Sequence, residues 1–181
     1  MIENINYRVL GIMSGTSLDG VDLTICTFKK TEKWSFVIEK STTIAYPNYW
    51  ENTLRNLHLK EKDEIKLIDK EYGLYLSKLI VNFLGDTNVN FVASHGHTIL
   101  HKPEKKITLQ IGDGQTIAKH SKIKTINDFR SLDVSLNGQG APLVPIGDLH
   151  LFSDYKYCLN LGGFANISIK AENSISAFDI C

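Results

Sequence analysis

Two short runs of apolar and β-branched residues, Arg8 to Met13 and Val21 to Phe28, flank the segment Ser14-Gly-Thr-Ser-Leu-Asp-Gly20, which can continue neither of them. Such a Gly/Ser/Asp turn between two strand-like runs reads as a β-hairpin. A third run, Trp34 to Thr42, extends it into a meander. The chain therefore begins as antiparallel sheet, and its later segments must supply the layer that buries it.

Helices come next. Pro47 suits a helix start, and Trp50, Leu54 and Leu57 recur on one helix face. Between Asp63 and Leu84 the residues Ile65, Ile68, Tyr72, Leu76, Leu79 and Phe83 form one stripe that Lys66, Asp69, Lys70 and Lys78 avoid, with Gly85 as a stop. This predicts a long amphipathic helix with its stripe in the core. Strands are predicted at Phe91–Ser94, Ile107–Ile111 and Lys124–Ile126, with helices over Gln115–His120 and after Pro142. The chain closes with strands at Tyr157–Leu161, Ala165–Ile169 and Ile175–Phe178, joined by Gly162-Gly163 and the Ala171 to Ser174 turn. The mixture indicates an α/β fold with antiparallel hairpins at both ends.

Charge narrows the partners. The 181 residues carry 20 Lys plus Arg against 20 Asp plus Glu, a formal net charge of zero. No basic footprint for nucleic acid or polybasic membrane anchor results, so neither is an expected partner. Three separated cysteines without a Cys-x-x-Cys pair encode neither a disulfide framework nor a thiolate zinc site. With no cationic start followed by an apolar run, a cytoplasmic location is expected. The sequence leaves the oligomeric state open, a homodimer among the states it allows.

The densest chemistry lies between Gly11 and Asp22. A turn holding Gly15, Thr16, Ser17 and Gly20 offers backbone N–H groups and two hydroxyls with little obstruction, as an oxyanion or phosphate requires. Asp19 and Asp22 add carboxylates able to hold a divalent cation through water. An ordinary hairpin turn would use similar residues, so both readings stand at this point. Arg130 is a planar cation suited to a carboxylate, or alternatively an ion-pair partner for Asp128 or Asp133. His95, His97 and His101 hint at zinc, because residues two apart on a strand share a face, but no carboxylate or Cys completes a spacing. Gly112-Asp-Gly114 imitates a dinucleotide fingerprint whose third Gly would fall at Ile117.

Gly11 to Asp22 resembles the N-terminal signature of the anhydro-N-acetylmuramic acid kinases, cell-wall recycling enzymes of the actin, hexokinase and Hsp70 superfamily. Further segments resemble family motifs in family order: Ser94-His-Gly-His-Thr98, Leu109-Gln-Ile-Gly-Asp113, Asp128-Phe-Arg130 with Asp133, Gly138 to Pro145, Asn160-Leu-Gly-Gly-Phe-Ala-Asn166 and Phe178-Asp179. Differences fall at His97, where the family usually carries Gln, at Ser131-Leu132 and at Ala177, and Ile180-Cys181 ends the chain where a Gly-Pro-Gly-Asn run is expected.

The resemblance implies an actin-like (ribonuclease H-like) domain with a mixed sheet, an N-terminal β-hairpin and flanking helices. Residues 1–181 would form the N-terminal domain of a two-domain sugar kinase, the second domain lying outside this chain. It implies ATP and Mg2+ as cofactors and an amino sugar as substrate. Gly15, Thr16, Ser17, Leu18, Asp19, Gly20, Val21 and Asp22 would embrace the ATP phosphates, with Asp22 toward the metal. Ser94, His97, Thr98, Arg130 and Asp133 would bind the sugar, and Asp179 would be the general base for water attacking the anomeric carbon. The isolated chain is expected to be inactive; the alternative is a non-catalytic amino-sugar-binding module on the same fold.

Overall fold

The computed structural model describes residues 5–161, 165–172 and 174–180. The meander forms as expected: β1 (Ile5–Ser14), β2 (Val21–Lys30) and β3 (Trp34–Ile44) are successive antiparallel neighbours. Next come α1 (Asn48–Asn56), a single 3-10 turn at Leu57–Leu59, and α2 (Lys62–Leu84). This last is the long amphipathic helix. Of its stripe, Ile68, Tyr72, Leu76 and Phe83 are buried, and Ile80 is enclosed more fully than the neighbouring Leu79.

After α2 the chain returns to the sheet on the far side of β1. β4 (Phe91–Lys102) runs parallel to β1, with Leu10 opposite Val92 and Ile12 opposite Ser94. It is far longer than the predicted Phe91–Ser94. Its first half pairs in parallel with β6 (Thr125–Ile126), and its second half, from His97, pairs antiparallel with β5 (Ile107–Ile111). A β5 hairpin partner thus prolongs a strand whose own polar residues gave no strand signal. Between β5 and β6 lies α3 (Gly114–Ser121), whose N-cap Asp113 accepts the Thr116 N–H at 2.8 Å. The Gly112-Asp-Gly114 segment is a helix cap and not a nucleotide loop.

The core lies between this sheet and α1 to α3. Leu10, Ile12, Leu23, Ile25 and Val92 on one sheet face meet Trp50, Leu54, Tyr72, Leu76, Ile80 and Ile117. Each fully buried side chain of this kind contributes about 1.5–3 kcal/mol relative to exposure. The opposite sheet face carries Tyr7, Phe28 and Phe91, which with Ile146 and Leu151 of α5 (Val144–Leu151) border an apolar hollow of about 470 Å3.

A short helix that the pattern did not predict, α4 (Ser131–Ser135), starts where the Asp128 carboxylate accepts the Ser131 N–H at 3.1 Å. Five residues of Ser-Leu-Asp-Val-Ser hold too little periodicity to betray it. The last three strands, β7 (Tyr157–Leu161), β8 (Ala165–Ala171) and β9 (Ser174–Asp179), do not flank the first sheet. They form their own antiparallel sheet in the order β7-β8-β9, the same successive pairing as β1-β2-β3. The segment between α5 and β7 meets the β2–β3 end of the first sheet, where Lys33 pairs with Asp154 at 2.9 Å and the Phe36 and Phe152 rings lie edge to face, 5.6 Å apart. The expected Gly162-Gly163 turn lies outside the described residues. No helix among the described residues is long and apolar enough to cross a membrane.

Candidate active site

The β1–β2 turn stands at the carboxyl end of β1. Leu18 adopts φ 60° and tucks its side chain against the core, which anchors the turn from below. Gly20 is held so close to β3 that a Cβ would lie 2.4 Å from the Ile44 carbonyl oxygen. Gly15 is less confined: a Cβ there would meet the Ser17 hydroxyl at 3.3 Å and the Ser17 backbone nitrogen at 4.0 Å. Thr16 and Ser17 are exposed. Within the turn the Leu18 N–H donates to the Gly15 carbonyl at 3.3 Å, whereas the amides of Gly15, Thr16 and Ser17 donate to no atom among the described residues.

The turn borders a cleft of about 420 Å3. Met13 to Ser17 form one wall, His95, Thr98 and His101 of β4 another, and Arg130 with Ala141 the far side. Arg130 makes no ion pair with Asp128 or Asp133; among the described residues no carboxylate lies within salt-bridge distance of it. Its guanidinium donates instead to the Gly140 carbonyl at 2.6 Å and, through Nε and Nη2, to His95 Nε2 at 3.1 and 2.8 Å. Burial lowers its pKa from the usual value, yet a guanidinium stays charged in water-accessible protein. The cleft therefore holds an uncompensated cation.

His95 must be neutral to serve as that acceptor. Its Nδ1–H donates to the Gly96 carbonyl at 2.9 Å, which leaves the Nε2 lone pair for Arg130. Burial, and then the Arg130 charge, lower its pKa and hold it in that form.

The other histidines diverge. Gly96 sits at φ 72° and breaks the strand alternation, so His97 turns away from His95 and into the core, 3 % exposed, with Nδ1 2.9 Å from Ser14 Oγ. His101 bonds Thr108 on the neighbouring strand at 3.1 Å. The expectation that His95 and His97 share a face fails at this glycine, and no group of potential metal ligands occurs among the described residues.

The remaining residues singled out by sequence are spread more widely. Thr98 lines the main cleft and a second hollow of about 260 Å3 that also holds Thr16 and His97. Asp19 accepts the Ser17 hydroxyl at 2.8 Å, and Asp22 accepts the Thr43 hydroxyl at 2.5 Å; both carboxylates are exposed with lone pairs to spare. Val21 is wholly buried, leaving only its backbone to meet a ligand. Ser94 is 1 % exposed and lines neither hollow. The Asp133 carboxylate accepts the Gly140 N–H at 2.6 Å and thereby holds the loop whose carbonyl fixes Arg130. Asp179 is exposed on β9 of the second sheet, opposite Asn166, and lines neither hollow.

Sequence reading missed Tyr46 and Tyr72. Their hydroxyls lie 2.5 Å apart beneath Ser14, and burial raises the pKa of both. A tyrosine on a core stripe must find a polar partner for its hydroxyl. Tyr72 on the α2 stripe carried that signal.

A mixed sheet in the order β3-β2-β1-β4-β6, with β2 antiparallel to its neighbours and a glycine-containing hairpin between the first two strands, defines an actin-like domain of the sugar-kinase type. The model of the family "Anhydro-N-acetylmuramic acid kinase" matches residues 7–181, and the chain belongs to that family. Curated relatives carry the same name. One from Paramagnetospirillum magneticum is 37% identical over 94% of this chain and 50% of its own length. Others from Shewanella pealeana and Shewanella frigidimarina are 37% and 38% identical, covering 97% and 91% of this chain and 51% and 47% of theirs. The chain thus spans about half the length of the relatives it matches.

Proposed function

We propose that this chain is the N-terminal half of an ATP-dependent kinase that opens the 1,6-anhydro bridge of anhydro-N-acetylmuramic acid and phosphorylates O6. One observation carries the reading: a charged guanidinium with no carboxylate partner among the described residues shares a cleft with a turn in which the Gly15, Thr16 and Ser17 amides are unspent among those residues. The first suits the lactyl carboxylate of the sugar, the second a phosphate.

The turn fits ATP because Gly15 places no side chain over it and three of its amides have no partner among the described residues. Asp19 and Asp22 fit Mg2+ bound through water, the metal supplying neutralisation of phosphate charge during transfer. In this chain Thr16, Ser17 and their amides hold the phosphates, Arg130 orients the sugar by its carboxylate, and His95 and Asp133 fix Arg130. Asp179 takes a proton from water as the water oxygen bonds to the anomeric carbon and the C1–O6 bond breaks. O6 then accepts the γ-phosphoryl group and ADP leaves.

The position of Asp179 on the second sheet, outside both hollows, favours one rival: a module that binds the amino sugar and does no chemistry. Mass analysis of product separates the two. The full-length protein, given the anhydro sugar and Mg-ATP, should yield a species heavier by water plus a phosphoryl group, and Asp179→Asn should lose turnover by about 10²–10⁴-fold while still binding ATP. Sugar binding without turnover would favour the module. The 181-residue chain alone should not turn over, since half of the nucleotide cleft is expected in the other half of the protein.

A further inference from the structure

Beneath the hairpin turn, four buried polar groups form a closed set whose protons can be counted. Tyr72 donates its hydroxyl to Ser14 Oγ at 2.9 Å. The Tyr46 oxygen lies 2.5 Å from that of Tyr72, and Ser14 Oγ lies 2.5 Å from that of Tyr46. A hydroxyl has one proton to give. With Tyr72 committed to Ser14, the Tyr46 proton must serve Tyr72, and the Ser14 proton must serve Tyr46. None remains for the fourth contact, between Ser14 Oγ and His97 Nδ1 at 2.9 Å. The proton in that contact therefore belongs to Nδ1.

A neutral imidazole has a single N–H, so Nε2 of His97 is left as a bare acceptor with no partner among the described residues. Burial foremost, and the neighbouring His95 next, lower the His97 pKa to about 4, so the ring keeps this form across the neutral range. His97 lines the 260 Å3 side hollow, which shares Thr16 and Thr98 with the main cleft and is bordered by Leu18, Leu54 and Ile99 as well as by the polar side chains of Arg55 and His58. An acceptor that opens on a hollow and has no protein partner among the described residues is available to a donor-bearing occupant.

We propose that His97 is a specificity residue, its Nε2 accepting a hydrogen bond from an uncharged amide N–H of the substrate while Leu18, Leu54 and Ile99 in the side hollow receive the small alkyl group attached to that amide. On the kinase reading, on which this rests, the group is the acetamido substituent of the sugar. The hydroxyl triangle of Ser14, Tyr46 and Tyr72 acts through His97, as positioning residues that set which ring nitrogen bears the proton.

The tautomer can be read directly by two-bond 1H–15N correlation on the chain labelled at histidine. His97 should show a protonated Nδ1 and a bare Nε2 from pH 5.5 to 8; a protonated Nε2 would overturn the assignment. Tyr72→Phe frees the Ser14 proton for Nδ1 and should let the Nε2–H form appear, a change that a merely structural tyrosine would not produce. If that variant does not fold, the wild-type spectrum still decides. In full-length protein, a 1,6-anhydro sugar bearing 2-acetamido should bind about 10- to 100-fold more tightly than its 2-O-acetyl ester, which has the same outline but no N–H. Equal binding of the two overturns the role of His97 and leaves the kinase reading standing. Binding of neither overturns the amino-sugar reading, and this assignment with it.

Discussion

His95 and His97 stand two positions apart on the same strand and do opposite things. His95 is half-buried at the cleft and lends its Nε2 to Arg130, whereas His97 is enclosed in the core and spends its Nδ1 on Ser14. A regular strand would send both to one face. The difference is made by Gly96, whose positive φ reverses the alternation and whose missing side chain lets Ile111 approach. A single glycine thus separates the His95 that holds the Arg130 guanidinium from the His97 that packs against Ser14.

The largest effect should come from removing that separation. A Cβ on Gly96 would lie 2.4 Å from the Ile111 carbonyl oxygen at φ 72°. Gly96→Ala should therefore cost about 3–4 kcal/mol, from backbone strain and displacement of β5, measured by urea denaturation. A loss below about 1 kcal/mol would show that the backbone relaxes easily and that alternation is not set here.

Acid should strike the His97 side next. Its folded pKa, about 4, lies below the ordinary value of 6.5. The group is neutral in the folded protein and must charge on unfolding, so its contribution is complete above pH 6.5 and is lost as pH falls toward 4. The loss is roughly 3 kcal/mol, with His95 adding in the same direction. Denaturation of wild type and His97→Leu at pH 7 and pH 4 isolates this part, because the carboxylates titrate alike in both. Equal pH sensitivity of the two proteins would contradict it.

On the other side, Arg130→Gln should weaken binding of a carboxylate-bearing sugar by about 1.5–3 kcal/mol in full-length protein. An uncharged analogue without the carboxylate should be affected far less. Equal losses for both ligands would mean that Arg130 only braces the Gly138 to Gly140 loop.

Smallest in stability, yet most telling for the turn, is Gly15→Ala. Its Cβ would lie 3.3 Å from the Ser17 hydroxyl, which is hydrogen-bonded to Asp19 and would have to give slightly, so folding should change by less than about 1 kcal/mol while Mg-ATP binding by the full-length protein falls. If nucleotide binding is unchanged, the turn is an ordinary hairpin end.

Most of the first sheet was legible because its elements carry local signals. The β1–β2–β3 meander has strand-period runs around turn residues, and α2 has a stripe long enough to be unambiguous. β4 was read only as far as Ser94, since His95-Gly-His97 looks like a strand end, and its extension depends on the hairpin made with β5. α4 depends on a cap from Asp128 and on packing of Val134. Neither has a periodicity of its own.

The candidate site divides along the same line. From the residues alone came the open hydroxyl-rich turn, the choice of Arg130 as the cation, and the family resemblance. These are properties of residue type and local spacing, and local chemistry expresses them wherever the chain goes. Only the tertiary structure decided that Arg130 is free of its neighbouring carboxylates and held by His95 and Gly140, that Asp133 serves the loop, and that His97 faces Ser14, Tyr46 and Tyr72. Those contacts join positions up to 83 residues apart, and their geometry comes from the sheet register and from the φ of one glycine, neither of which any short window of sequence contains.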